Sequence, residues 1–552
     1  MPWIRRITTI VAGLLAGIVA ACFLALLMVA ARTWLGISPP PESVPDRIAP
    51  TLSINHFFSL FGKYGGYNGL KKYGVKTGIQ ALFGAGAVVG VLYAIVSETG
   101  FSRRIGAWRF GVSRIGAIFL AVLTLIVWLG SVIFLWPVLQ TNFRGLPPSQ
   151  ARYVTIAGLF LEYLGFTVML ALTYWFVVRH ARIAAERTDS GSDATAVTTG
   201  SPAVELGRPL ARRSIVAAGA GAVFAYPAYR LIKRLYDRAV FPYDGTVYSG
   251  PGVMPITPND KFYTVTKNVV DPNVNKAVWG LDIFGMVDRH HTYSYDDIVA
   301  MPQVKQETTL MCISNAIGAG LSSNAVWTGI PMAELLNKAG VQEGAVEVKL
   351  YGADGYTDTF AIEKALDPTT MVVYQMNGEP LAERHGYPVR LVVPGLFGEK
   401  NVKWVTGIEV IDHDGKGFYE EQGWGPDFEV PTRSDIFSPK RTRHSGQDSF
   451  DQTLPVNKPV TLKGRAFAGA RGVKTVEVSL DNGETWQQAH FDYPGTKLTW
   501  TFWSYVWTPE KTGDYVLICR ATDDTGALQT TKVRGTAPDG ATGLHKVKAK
   551  VI

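Results

Sequence analysis

The chain has 552 residues, 47% of them hydrophobic and only three of them cysteine, with a mean hydropathy of +0.10. That is too apolar for a wholly soluble enzyme and too polar for a protein sunk entirely in a bilayer, and three cysteines are too few for a disulfide scaffold. The charge is uneven: residues 1–240 carry 24 Lys/Arg against 9 Asp/Glu, and residues 241–552 carry 30 against 37. The basic excess follows the apolar half, so it reads as membrane topology and not as a nucleic-acid surface.

Four apolar stretches, about 8–30, 77–97, 115–139 and 153–178, are long enough to cross a membrane, which takes about 20 helical residues. A fifth, about 214–229, is short and rich in Ala and Gly. Arg5 and Arg6 precede the first stretch, Arg103, Arg104, Arg109 and Arg114 follow the second, and Arg179, Arg182 and Arg187 follow the fourth. The positive-inside rule puts these segments in the cytoplasm. Five crossings then place everything after about residue 235 outside it, with residues 1–235 as the membrane domain. Arg212 and Arg213, ahead of the fifth stretch, resemble a twin-arginine export signal set inside the chain, or are simply the basic flank of a helix. Residues 188–207, rich in Ser, Thr, Gly and Ala, read as a flexible cytoplasmic linker.

Beyond residue 250 short strands, turns and short helices take over. Helix starts are expected at Ser294 and after Pro331, the second helix stopping at Gly340, and Val346-Glu-Val-Lys-Leu alternates as a strand does. An apolar strand runs up to Cys312, and a Gly- and Ser-rich loop follows it. Residues 250–445 are taken as one domain and 455–552 as another. In the second, Val476, Val478 and Leu480 alternate with polar residues ahead of an Asp481-Asn-Gly turn, and Tyr515, Leu517 and Cys519 alternate in the same way. Short alternating strands with turn signals predict an immunoglobulin-like β-sandwich in which Cys519 is a core residue.

Cys312 stands where a strand gives way to a flexible backbone, a good place for a thiol to bind a soft metal or attack a substrate; its alternative is a small buried core residue. Arg390, in Pro388-Val-Arg-Leu-Val-Val-Pro, and Lys403, in Asn401-Val-Lys-Trp-Val, are single cations in apolar strand-like runs. Each either faces outward or meets a buried anion such as a phosphate.

Residues of about 253–445 resemble the sulfite oxidase family of molybdopterin enzymes. The resemblance is carried by Thr257-Pro-Asn-Asp-Lys-Phe-Tyr-Thr-Val-Thr-Lys-Asn, Cys312-Ile-Ser-Asn, Trp327-Thr-Gly-Ile-Pro, Met376-Asn-Gly-Glu-Pro-Leu, Arg384-His-Gly-Tyr-Pro-Val-Arg and Lys400-Asn-Val-Lys-Trp, in that order. Val476-Glu-Val-Ser-Leu-Asp-Asn-Gly-Glu-Thr-Trp and Arg520-Ala-Thr-Asp are similar to the family's dimerisation domain. The implied fold is a multi-helix membrane anchor, a mixed α+β molybdopterin domain and a C-terminal β-sandwich. The implied cofactor is molybdenum-molybdopterin, with Cys312 as the protein thiolate. His385, Arg390 and Lys403 match positions that hold the pterin and its phosphate, and Asn315, Thr266 and Asn268 fall near the same pocket.

The departures bear on substrate. The family's sulfite oxidases place arginines where this chain has Ile317 and Thr266, and a catalytic tyrosine where it has Trp424. The resemblance therefore implies a less cationic pocket, suited to a sulfoxide or another small neutral oxo-compound rather than sulfite. No haem is expected, so electrons would come from a separate carrier, a cytochrome or quinone, and the C-terminal domain would make a homodimer. The rival reading is a non-catalytic, membrane-anchored binding module that keeps the molybdenum fold as a scaffold.

Overall fold

A computed structural model of the chain describes residues 2–98, 113–189, 246–268, 271–444 and 446–552. The fifth apolar stretch, the Arg212–Arg213 pair and most of the 188–207 linker lie outside the described residues. The chain forms two compact units: residues 1–48, 64–141 and 150–241, and residues 49–63, 142–149 and 242–552.

The first unit is built from α1 (Pro2–Ala30), α2 (Pro40–Ile48), α4 (Tyr67–Ser97), α5 (Arg114–Leu135) and α6 (Pro148–Asp189); α3 (Ile54–Tyr64) falls in the second. Four segments, Thr9–Leu35, Gly69–Ser97, Arg114–Val138 and Pro148–Val178, are long and apolar enough to cross a membrane, matching the four long stretches of the sequence. Two apolar helices gain little from burial in lipid, so they associate by close packing of small residues. Gly13 and Gly17 of α1 meet Gly86 and Gly90 of α4 so closely that a Cβ on Gly17 would lie 2.1 Å from the Gly86 carbonyl oxygen.

Among the described residues the second unit holds four sheets. One sheet runs, in spatial order, β2 (His291–Ser294), β1 (Gly280–Gly285), β10 (Val405–Ile411), β5 (Glu347–Gly352) and β6 (Thr357–Ala361). Another runs β3 (Val304–Met311), β4 (Ser322–Pro331), β7 (Met371–Met376) and β8 (Glu379–Pro380), with β9 (Arg390–Val392) also on β7. Short helices α7 (Tyr295–Ala300), α8 (Met332–Ala339) and α9 (Ile362–Leu366) close a core around Leu281, Leu335, Leu350 and Trp404. The local signals hold. Ser294 and Asp297 form a reciprocal capping box on α7, and Gly340 ends α8 in the left-handed region at φ 76°. One reading changes: the Gly/Ser-rich stretch after Cys312 is a loop only as far as residue 321, and β4 follows. Its small polar residues are buried and bonded. The Ser323 hydroxyl accepts the Tyr263 amide at 3.1 Å and the Asn324 carbonyl oxygen accepts the Thr257 amide at 2.8 Å, a pairing that sequence polarity hides.

The C-terminal part is a sandwich of two sheets. One is β11 (Arg433–Ser438), β14 (Val460–Phe467), β18 (Thr501–Trp507) and β17 (His490–Tyr493). The other is β12 (Arg441–His444), β13 (Gln447–Phe450), β20 (His545–Val551), β19 (Gly513–Asp523), β15 (Val473–Ser479) and β16 (Gln487–Gln488). Val476, Val478, Leu517 and Cys519 are buried in the core between them. The sandwich starts at β11, earlier than the break at 445–455 read from the sequence, because β11 pairs with β14 and the β12–β13 hairpin joins the other sheet by pairing β13 with β20.

Two loops between apolar helices fold as part of this unit. In the first, Phe57, Phe58 and Phe61 of α3 form an aromatic cluster. In the second, the Arg144 and Gly145 carbonyls accept the Asn275 and Gly280 amides, and the Ser149 amide donates to Asp282 at 3.1 Å.

Candidate active site

Cys312 follows the last residue of β3 and is buried. Its amide donates to the Leu321 carbonyl and its carbonyl accepts the Asn315 amide, which fixes the turn. Neighbouring residues on a strand face opposite sides. Cys312 accordingly packs with Phe262, Tyr263, Leu310 and Trp327, whereas Met311 and Ile313 pack with Phe397, Trp424 and Phe428. Burial, and then the Glu399 carboxyl, push the thiol up to about 12. A bare Cys312 thus stays protonated at neutral pH, and only a strong local cation would make it a thiolate.

His385, Arg390 and Lys403 form one cluster. The His385 Nε2–H donates to the Asn259 carbonyl at 2.9 Å, and burial holds the imidazole neutral, down to about 4. The Arg390 guanidinium donates to the His385 and Asn401 carbonyls, each at 3.1 Å, and lies over the Trp327 ring, 5.2 Å from its centroid. Lys403 donates to the Arg384 carbonyl at 3.0 Å. Burial pulls Arg390 down to about 10 and Lys403 down to about 8. Gly386, at φ 107°, lets the three meet: a Cβ there would be 2.9 Å from the Arg390 Cβ and 3.2 Å from the Lys403 Cβ. Among the described residues neither cation has a carboxylate within ion-pair distance. Arg390 opens β9, but Lys403 lies in the turn before β10, not in a strand, beside Trp404 at φ 52°.

The remaining sequence candidates are placed as follows. Asn268 donates to the Asp354 carbonyl at 2.7 Å, and the Thr266 hydroxyl accepts the Asn268 amide at 3.4 Å. Between them Lys267 donates to the Gly355 carbonyl at 2.9 Å and covers the Phe418 ring. Asn315 is turned to its own loop, its side-chain carbonyl accepting the Leu321 amide at 3.0 Å. Trp424 is buried, its ring 4.8 Å from Tyr419, 6.0 Å from Phe61 and 6.2 Å from Phe58, and its Nε1–H has no acceptor among the described residues.

Glu399 was missed in the sequence. Its carboxyl oxygens are shielded from solvent and burial pushes the acid up to about 8. It acts electrostatically on Cys312, Tyr263 and Tyr356. The signal available was an acid inside the apolar Leu396-Phe-Gly-Glu. The next cation, Lys400, is neutralised by Asp358 at 2.7 Å and Glu420 at 3.1 Å.

A family profile described as an oxidoreductase molybdopterin binding domain matches residues 268–419, and one described as a Mo-co oxidoreductase dimerisation domain matches residues 428–537. The chain is 32% identical over 320 residues to the mitochondrial sulfite oxidase of Macaca fascicularis, covering 49% of this chain and 56% of that protein. It is 29% identical over 311 residues to the NADH nitrate reductase 2 of Phaseolus vulgaris, covering 45% of this chain and 34% of that protein. It thus spans about a third of that nitrate reductase and somewhat more than half of the sulfite oxidase. The sulfane dehydrogenase SoxCD of Paracoccus pantotrophus is a structural neighbour at TM-score 0.47 and 22% identity, over 64% of this chain and 93% of that one. The matched profile and the sulfite oxidase relatives identify a molybdopterin-dependent oxidoreductase. Within that class, residues 268–537 belong to the sulfite oxidase family, whose cofactor is molybdenum-molybdopterin.

The residues present fit that group. A buried Arg390 and a half-buried Lys403, neither with a carboxylate within ion-pair distance among the described residues, suit a phosphate, since Arg offers a planar fork and Lys a point charge. No three His, Cys, Asp or Glu converge among the described residues, so a metal at Cys312 would bring its other ligands with it, as a pterin dithiolene does.

Proposed function

We propose that the chain is a membrane-anchored, extracytoplasmic molybdenum oxidoreductase that moves an oxygen atom to or from a small neutral oxo-compound, with sulfoxides favoured over sulfite. Cys312 supplies the metal thiolate. His385, Arg390 and Lys403 hold the pterin and its phosphate, Thr266 and Asn268 line the pocket, and Asn315 shapes the loop beside the ligand. When bound, the cofactor supplies a metal that changes oxidation state as oxygen is transferred. The protein orients the reactants and excludes water.

The observation that carries the cofactor assignment is the meeting of the buried Arg390 and the half-buried Lys403 in one cluster, with no carboxylate within ion-pair distance among the described residues. The substrate assignment is supported by where charge is absent. Ile317 and Thr266 replace two cations, Lys267 is engaged by Gly355 and Phe418, Lys400 is neutralised, and Glu399 adds a buried acid beside Cys312. An anion entering without two charge-assisted hydrogen bonds gives up about 3–6 kcal/mol.

The location is supported by the two loops. Residues 49–63 and 142–149 fold with the catalytic unit, so both lie on its side. That side is opposite the Arg103–Arg114 segment if all four helices cross, and the positive-inside rule assigns the arginines to the cytoplasm. The C-terminal sandwich, of immunoglobulin-like type, is read as a homodimer surface, and electrons as coming from a separate cytochrome or quinone.

The test is to purify the protein from membranes, assay molybdenum and pterin, and compare a neutral sulfoxide with sulfite using an artificial electron dye. Sulfoxide turnover is expected to exceed sulfite turnover about a hundredfold or more in kcat/KM. Sulfite oxidation at about 10⁶ M⁻¹s⁻¹ or above would reject the substrate reading.

A further inference from the structure

We infer that the C-terminal domain is a working part of the catalytic site, because its arginines hold the backbone that follows Cys312 and so position the substrate side of the pocket. The inference rests on Cys312 being the metal ligand.

Five successive carbonyls of that loop are taken by four arginines of the sandwich. Arg433 donates to Asn315 and Ala316, each at 2.9 Å. Arg443 donates to Ile317 at 2.5 Å, Arg441 to Gly318, and Arg465 to Ala319 at 2.7 Å. Burying a guanidinium is costly unless its partners compensate. Arg433 is buried, has no carboxylate within ion-pair distance among the described residues, and spends its remaining contact on Met311 Sδ at 3.3 Å, the residue before Cys312. The others are tied back into the sandwich. Arg441 and Arg443 pair with Asp448, which also accepts the His545 Nε2–H at 2.7 Å, and Arg465 pairs with Asp435 at 3.2 Å.

A guanidinium is a planar fork, so each contact fixes direction as well as distance. Gly318, at φ 73°, lies so close to the domain that a Cβ would be 2.4 Å from His545 Nε2. The loop therefore cannot slide against the sandwich. Ile317, at the position where the sulfite oxidases carry an arginine, has its backbone set by Arg443. Arg433, Arg441, Arg443 and Arg465 are positioning residues: they act through the loop.

The experiment uses the full chain in detergent, with Arg443→Ala as the main variant because that side chain is partly exposed (37%) and least needed for folding. Arg520→Ala, which breaks a pair with Glu477 on the same domain, is the control. Hydrogen exchange is read in peptides spanning 313–321 and 473–479. Arg443→Ala is expected to speed exchange about tenfold in 313–321 and to leave 473–479 unchanged. With molybdenum content retained, it should also raise the sulfoxide KM several-fold more than it changes kcat, and alter the Mo(V) paramagnetic resonance line shape. Arg520→Ala should do neither. Unchanged exchange in 313–321, or a rise reaching 473–479 equally, would overturn the inference, as would faster loop exchange with KM and the Mo(V) signal both unmoved. If the wild type fails to turn over any sulfoxide, the substrate reading falls, while exchange and the Mo(V) signal still decide this one.

Discussion

At the residue scale the chemistry turns on Cys312. An alcohol is a far poorer ligand than a thiolate for a soft metal. Cys312→Ser is therefore expected to abolish turnover while the thermal unfolding midpoint stays within a few degrees of wild type; steady-state assays on matched amounts of protein check it. Titration gives a second expectation. Burial holds His385 and His545 neutral, both below the ordinary imidazole value, His385 at about 4. His545 has a further reason: its Nδ1 accepts the Ile436 amide at 2.9 Å while Nε2–H donates to Asp448, so a second proton would break a bond. The unfolded chain takes these protons first. Stability is then full above about pH 6.5 and is lost as the pH falls below it, for His385 down to about 4. Unfolding midpoints of the metal-free protein between pH 7.5 and 5 should fall, and His545→Gln should flatten that slope. A pH-independent midpoint would contradict the assignment.

At the element scale, α3 is the segment whose role could not be read from its own pattern. It lies between two membrane-length helices, yet Phe58 and Phe61 pack on Trp424, and a Cβ on Gly423 would meet Ile54 at 2.7 Å. Phe58→Ala removes a half-buried ring, so it should cost about 1–3 kcal/mol. Thermal unfolding checks it, and an unchanged midpoint would remove Phe58 from the Trp424 cluster. The helices α7 and α8 were legible because their stop and start signals are local: Ser294 with Asp297, and Gly340. Strand β4 was not, because Ser322, Ser323 and Asn324 look like loop residues until Thr257, Tyr263 and Thr309 are brought to them.

At the scale of the whole molecule the expectation is topological. Protease added to intact spheroplasts should remove the part after about residue 235, whereas cleavage only after lysis would reverse the orientation. The same loops that support this orientation, 49–63 and 142–149, fold within the catalytic unit and are continuous in the chain with the apolar helices. Deleting the N-terminal helices would therefore also strip α3 from Trp424. A version lacking residues 1–240 is expected to be less stable than the full chain, by differential scanning calorimetry in detergent.

The sequence by itself determined the four membrane-length helices, the family, the thiolate candidate and the cationic residues Arg390 and Lys403. These depend on hydropathy over a window or on residue types at short spacing, and both survive without knowledge of contacts. The tertiary structure decided what each charge faces. Lys400 and Lys403 stand three positions apart, yet one meets Asp358 and Glu420, and the other lies half-buried beside Arg390 with no carboxylate within ion-pair distance among the described residues. Glu399 becomes part of the site because Gly398 packs on the strand end beside Cys312, where a Cβ would sit 2.5 Å from the Tyr263 hydroxyl oxygen. Arg433 and Arg465 look in the sequence like ordinary strand residues, and their partners lie more than a hundred positions away. Burial and pairing set the energy of a charge, and both are properties of the folded neighbourhood that no local pattern carries.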